Sequence, residues 1–162
     1  MKTALGITIG AILAVLIFSV AEAQLIDKPE SVVYDSLRNR YLVSSWDTGH
    51  MVQIDSDGVQ SYFITGQHCY AGLQIIGDSI YVACRGEGVR GFDLGTGQMF
   101  MHVDIPESHV LNDITSDNSG NLYISDPNAD LIFKVNISAN QGKFVYSNFI
   151  GTKTDHGYRS PV

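Results

Sequence analysis

A tyrosine-centred strand recurs through this chain at a spacing of 40 and then 42 residues, at Tyr41, Tyr81 and Tyr123. The three copies read Arg40-Tyr41-Leu42-Val43-Ser44, Ile80-Tyr81-Val82-Ala83 and Leu122-Tyr123-Ile124-Ser125. A second apolar run follows each: Met51 to Asp55, Val89 to Asp93 and Leu131 to Asn136. Turn residues come next, at Ser56-Asp57-Gly58, Gly95-Thr96-Gly97 and Asn140-Gln141-Gly142, and then a closing run over Val59–Ile64, Gln98–Ile105 and Lys143–Ile150. The run before each tyrosine also repeats, as Ser31–Asp35, Leu73–Ile76 and Asp113–Asp117. Four short alternating strands every ~40–45 residues is the period of a propeller blade. A β-sandwich would also use short strands, but it does not require one unit to resemble the next.

The predicted fold is therefore all-β: a partial β-propeller of about three four-stranded blades, over 28–66, 67–107 and 108–150 within a domain of 24–150. Helical periodicity is absent after residue 23. Complete propellers close a ring of about four to eight blades. Three blades alone leave two outer faces uncovered, which predicts self-association or a missing remainder. The stretch Gly151–Val162 is poor in apolar residues and leaves the repeat, so it is expected to be a disordered tail or a truncated end.

The N-terminus carries Lys2, an apolar run over Ile7–Val20, and Ala21-Glu22-Ala23. Those are the three parts of a secretory signal peptide, predicted over 1–23 with cleavage after Ala23. An uncleaved anchor is the alternative, although the run is shorter than the ~20 residues that a span prefers. Secretion or export to a periplasm is expected, with no stable membrane span after cleavage. The formal net charge of −7 disfavours nucleic acid and anionic membrane as partners, since lysine and arginine read both.

Propellers bind ligands at the mouth of a channel lined by their innermost strands. Aligning the units by Val32, Leu73 and Ile114 places Glu30, Ala71 and Asn112 at equivalent starts of those strands, with Asp113 beside Asn112. A carboxylate and an amide oxygen at one opening suit a hard divalent cation such as calcium or magnesium. A solvated strand start at Glu30 and a turn cap at Asn112 account for the same residues without a ligand. Cys69 and Cys84 fall near one another at one end of the hairpin folded about Gly77-Asp78. A disulfide and two separate buried thiols both fit that placement. His68 and His109 lie near blade starts, but the five histidines show no metal-ligand spacing. Asp55-Ser56-Asp57-Gly58 and Asp117–Asn121 resemble calcium loops only superficially, and turn geometry explains them. Asn136-Ile137-Ser138 is a glycosylation sequon. No Gly-x-Ser-x-Gly elbow or phosphate-binding glycine loop is present.

Pro29-Glu30-Ser31-Val32-Val33-Tyr34-Asp35 and the run from Leu111-Asn112-Asp113 to Ser125-Asp126 resemble the senescence-marker-protein/gluconolactonase family. The strand-turn-tyrosine pattern is shared with NHL-repeat propellers. The resemblance implies a six-bladed, TolB-like propeller with a divalent metal, calcium first, in the channel. It implies Glu30 as a metal ligand, and Asn112 with Asp113 at the substrate. The metal would act as Lewis acid on a lactone or ester carbonyl. Val110 departs from an arginine common in the family's lactonases, and the remaining ligands, an Asn and an Asp, belong to later blades. The expectation is part of an exported lactonase-type hydrolase, inactive by itself. The alternative is a secreted, non-catalytic NHL-like propeller that holds a small molecule or a protein.

Overall fold

The structure, a computed structural model, describes residues 24–69 and 71–137 in full, and the backbone of strands at 145–150, 153–154 and 157–158. The expected signal peptide of 1–23 and the sequon's Ser138 lie outside the described residues. Among the described residues no helix is long and apolar enough to cross a membrane.

Three antiparallel sheets of four strands each follow one another along the chain. The first holds β1 (Pro29–Asp35), β2 (Arg40–Ser45), β3 (Met51–Ile54) and β4 (Gln60–Ile64). The second holds β5 (Leu73–Ile76), β6 (Ser79–Cys84), β7 (Gly88–Asp93) and β8 (Met99–Val103). The third holds β9 (Ile114–Ser116), β10 (Asn121–Asp126), β11 (Leu131–Asn136) and β12 (Val145–Ile150). Each sheet is a simple meander, with spatial order equal to chain order. The first strands of successive sheets, β1, β5 and β9, are neighbours in space. Consecutive meanders stacked with their first strands side by side are the blades of a propeller.

Within 151–162, most of which lies outside the described residues, β13 (Lys153–Thr154) and β14 (Gly157–Tyr158) form a short antiparallel pair. Such a ladder needs only backbone groups, so hydrophobic patterning does not announce it.

The turns are made by aspartates that spend their oxygens on backbone. Asp55 Oδ1 accepts from the N–H groups of Asp57 and Val59, both at 2.9 Å. Asp117 Oδ1 accepts from Ser119 at 2.7 Å and Asn121 at 3.0 Å. These are side-chain-closed turns, the job that Asp does at such positions.

Two cores lie between the three sheets. Leu42, Met51 and Ile64 of the first sheet pack on Leu73, Ile80, Val82 and Phe92 of the second. Tyr81, Ala83, Val89 and Met101 of the second pack on Ile114, Leu122, Ile124 and Phe133 of the third. Strand side chains alternate between faces, so the middle sheet divides its residues. Ile80, Val82 and Cys84 face the first sheet; Tyr81 and Ala83 face the third. This is why β6 is an unbroken apolar run, as expected of a strand covered on both sides. The outer face of the first sheet stays open, with Val32 61% and Tyr34, Tyr41 and Tyr62 48–49% exposed.

Candidate functional site

At one end of the stack, the starts of β1, β5 and β9 meet the loops that follow β2, β6 and β10. The ladders fix which residues correspond. Val33 pairs with Leu42, Leu73 with Val82 and Ile114 with Ile124, each partner directly following a repeat tyrosine. Val33, not Val32, is thus the equivalent of Leu73 and Ile114. Ala71 and Asn112 lie two residues before Leu73 and Ile114, and in β1 the equivalent place is shared by Glu30 and Ser31. The offset arises in the turn, where four residues separate Asp35 from Arg40 but five separate Ser116 from Leu122; an irregularity between Pro29 and Val32 then gives β1 one extra residue, so that Glu30 and Ser31 both lie opposite Ser44. Such bulges bend a strand and re-aim its side chains. Ser31 is tied into it twice: its N–H donates to Ser44 Oγ at 3.0 Å, and its Oγ accepts from Leu73 N–H at 3.3 Å.

Glu30, inside the bulge, is raised above the ordinary carboxylate range. Partial desolvation is the larger cause, and the negative charge of Asp113 is the second. Carboxylates from the first and third sheets therefore share one electrostatic field. At the start of the second sheet Gly72 lies directly against Asp113 and has no side chain to hold it off. A Cβ on Gly72 would stand 2.8 Å from Asp113 Cα and 2.8 Å from Ile114 N. The Gly72 N–H donates to Asn112 O at 2.7 Å, which locks the two inner strands together. Sequence reasoning passed over Gly72; its signal was a glycine at the start of a strand, a mark of close backbone approach.

Asp113 is held by its own backbone and by Ser125. Its N–H donates to Ser125 Oγ at 3.1 Å, and its Oδ1 accepts from Ile114 N–H at 2.9 Å. Asn112 lines a cleft of about 260 Å³ with Ser125, Asp126, Pro127, Asp130, Leu131 and Ile132. The floor of that cleft is organised by Asp126, which is 1% exposed. Its Oδ2 accepts from His109 N–H at 2.6 Å and Val110 N–H at 2.9 Å, and its Oδ1 from Asn128 at 3.1 Å and Ala129 at 3.0 Å. Burial pushes the Asp126 carboxyl up, but these four backbone donors outweigh it and leave the pKa below its ordinary value. Asp126 is an architectural carboxylate whose hydrogen-bonding capacity goes to shaping the segment before Asn112.

Cys69 and Cys84 are joined as a disulfide with a Cα–Cα distance of 4.3 Å. It ties the loop entering the second sheet to the end of β6. His68 takes a left-handed backbone at φ 51°, packed against Gly49. The ring of His109 turns to the Asn128 carbonyl, with Nδ1 3.3 Å from its oxygen. Asn136 is half-buried at the end of β11. No group of three or more His, Cys, Asp or Glu able to hold a metal exists among the described residues.

Three stacked four-stranded meanders with a shared mouth define an arc of a β-propeller. Solved structures with a similar fold, all at 20% identity or less, carry different functions, among them a nidogen/laminin complex. A streptogramin B lyase matches at TM-score 0.60 and 13% identity, over 75% of this chain and 40% of its own. A gluconolactonase from Xanthomonas campestris matches at TM-score 0.52 and 20% identity, over 62% of this chain and 35% of its own. Regucalcin, a calcium-binding protein from Agrobacterium tumefaciens, matches at TM-score 0.52 and 18% identity, over 73% of this chain and 42% of its own. The chain spans less than half the length of each of these structures. No family profile and no curated protein matches the sequence.

Proposed function

We propose that this arc is the cation-holding side of an exported lactonase-type propeller. In this reading Glu30 and Asp113 supply carboxylate oxygens to one divalent cation, calcium first, and Asn112 meets the substrate beside it. The observation that carries it is the raised Glu30 carboxyl, whose neighbour in charge is Asp113 of a different sheet. A desolvated carboxylate that also feels a neighbouring negative charge is relieved by a cation beside it. Likeness to a gluconolactonase and to a calcium-binding propeller supports the choice of chemistry. When bound, the cation polarises a lactone or ester carbonyl. The chain's own part is then to hold Glu30 in its bulge, fix Asp113 through Ser125, and present Asn112. Two carboxylates are an incomplete shell for calcium, which takes six to eight oxygens. The arc alone is accordingly expected to bind weakly and not to turn over.

Calcium titration by calorimetry on the purified protein, beside Glu30→Gln, tests this. Binding that the variant loses supports the site. Absence of binding in a folded, monodisperse sample removes the cation reading. What then stands is a secreted binding propeller, for which the open Asn112 cleft supplies a ligand-sized recess.

A further inference from the structure

Trp46 and Arg85 sit in corresponding loops of the first and second sheets, just after β2 and β6. The Arg85 guanidinium lies on the Trp46 ring, with Cζ 4.3 Å from the ring centroid. Other arginines of the arc meet carboxylates. Arg38 and Arg40 meet Asp35, Arg38 also meets Asp78, and Arg90 meets Glu87. Arg85 has neither a carboxylate nor a hydrogen-bond acceptor among the described residues. Supply does not explain this, because the chain carries 17 acidic against 10 basic residues. Glu87, two positions along, turns to Arg90 instead.

The geometry leaves Arg85 prepared for a ligand. Stacking occupies the flat face of a guanidinium, whereas its N–H donors point outward in the plane. Those donors stay available while the ring restrains the side chain, which lowers the entropy lost on binding. The root of the side chain is fixed as well. Cys84, the residue before it, is fully buried and disulfide-bonded to Cys69. The end of β6 lies at the mouth, since Ala71 N–H donates to Ala83 O beside the start of β5. Arg85 thus belongs to the sheet between the one that carries Glu30 and the one that carries Asp113.

We propose that Arg85, laid on Trp46, anchors the carboxylate of a small-molecule ligand at the channel mouth. One planar fork matches one carboxylate in a bidentate pair. A phosphate dianion would bring a second charge that the single guanidinium fork does not match. The assignment does not depend on a metal at Glu30, and it holds for a catalytic or a purely binding propeller.

Trp46 is the only tryptophan, so its fluorescence reports directly on this contact. The experiment titrates the protein with gluconate, with glucose as the neutral control, and with inorganic phosphate, each with and without a chelator. The expected result is a saturable fluorescence change with gluconate alone, independent of chelator. Affinity should fall about tenfold or more in Arg85→Gln, as for loss of a charge-assisted pair. Arg85→Lys, which keeps the charge but loses the fork, should fall between. Three outcomes would overturn the proposal: no saturable gluconate response by fluorescence or calorimetry in folded protein, equal affinity in Arg85→Gln, or a response to phosphate and not to gluconate. Gluconate binding that needs calcium and fails in Glu30→Gln but survives in Arg85→Gln would also reject it, while leaving the cation reading intact.

Discussion

Replacing Gly72 with alanine tests the contact that brings the second and third blades together at the mouth. The added Cβ would lie 2.8 Å from Asp113 Cα and 2.8 Å from Ile114 N. Carbon contacts are optimal at ~3.5–4.0 Å, so relief needs a movement of roughly 1 Å. A third atom, Asp113 Oδ1, lies at the same 2.8 Å and could swing aside, but the other two are backbone, so side-chain rotation alone cannot provide it. The blades must part, which stretches the 2.7 Å bond from Gly72 N–H to Asn112 O. Overpacking of this kind costs about 1–3 kcal/mol, and a lost hydrogen bond adds about 1 kcal/mol. Gly95→Ala is the control, since its Cβ would meet only Asp93 Oδ1 at 3.3 Å and Arg38 Nη2 at 3.6 Å. Urea unfolding of the two variants beside the parent measures the difference. Gly72→Ala should lower the midpoint by roughly 1 M, given a slope of about 1–3 kcal/mol/M, whereas Gly95→Ala should stay within about 0.5 kcal/mol of the parent. Equal stability of all three proteins would refute the close approach of Gly72 to Asp113 at the start of β9.

Three further outcomes follow from the same structure. Removing the disulfide with Cys69→Ser and Cys84→Ser together should cost about 3 kcal/mol, from the entropy of a loop of ~15 residues; the parent, denatured without reductant, should show no thiol reactive toward a colorimetric reagent. Asp117 is lowered to about 2 by hydrogen bonds led by the Asn121 side chain, outweighing desolvation, so its carboxyl resonance should titrate near that pH. The stability it contributes is fully present above the unfolded value of 3.8 and is lost as pH falls toward about 2, an effect that Asp117→Asn should remove from the acid-unfolding curve. Glu30 has the opposite sign: its folded pKa lies above the unfolded 4.5, so ionised Glu30 opposes folding at neutral pH. Without divalent cation, Glu30→Gln should therefore raise the urea midpoint at pH 7 and leave it unchanged at pH 3, and a lowered midpoint at pH 7 would contradict the desolvation of this carboxyl.

Much of the blade was legible locally. Strands, turns and their order follow from period-2 patterning and from Asp, Asn and Gly at fixed offsets, because hairpin ladders and side-chain-closed turns involve residues only a few positions apart. Tyr41, Tyr81 and Tyr123 sit at matching ladder positions for that reason, opposite Tyr34, Gln74 and Thr115. The site was legible only as a list. Counting from Val32 placed Glu30 level with Asn112; the ladder counts from Val33 instead, and the extra residue of the bulge, which nothing in the local pattern marks, sets Glu30 and Ser31 together opposite Ser44.

The sequence by itself determined the four-stranded unit, its repetition, and the nearness of Cys69 to Cys84 within one hairpin, since each arises from short-range geometry. Only the tertiary structure decided that Glu30 feels Asp113, that Gly72 lies against Asp113, and that Arg85 rests on Trp46. These pairs lie some forty to eighty residues apart in the chain and meet only because one blade packs on the next. Blade packing is set by the two interleaved cores, whose shape depends on many side chains at once.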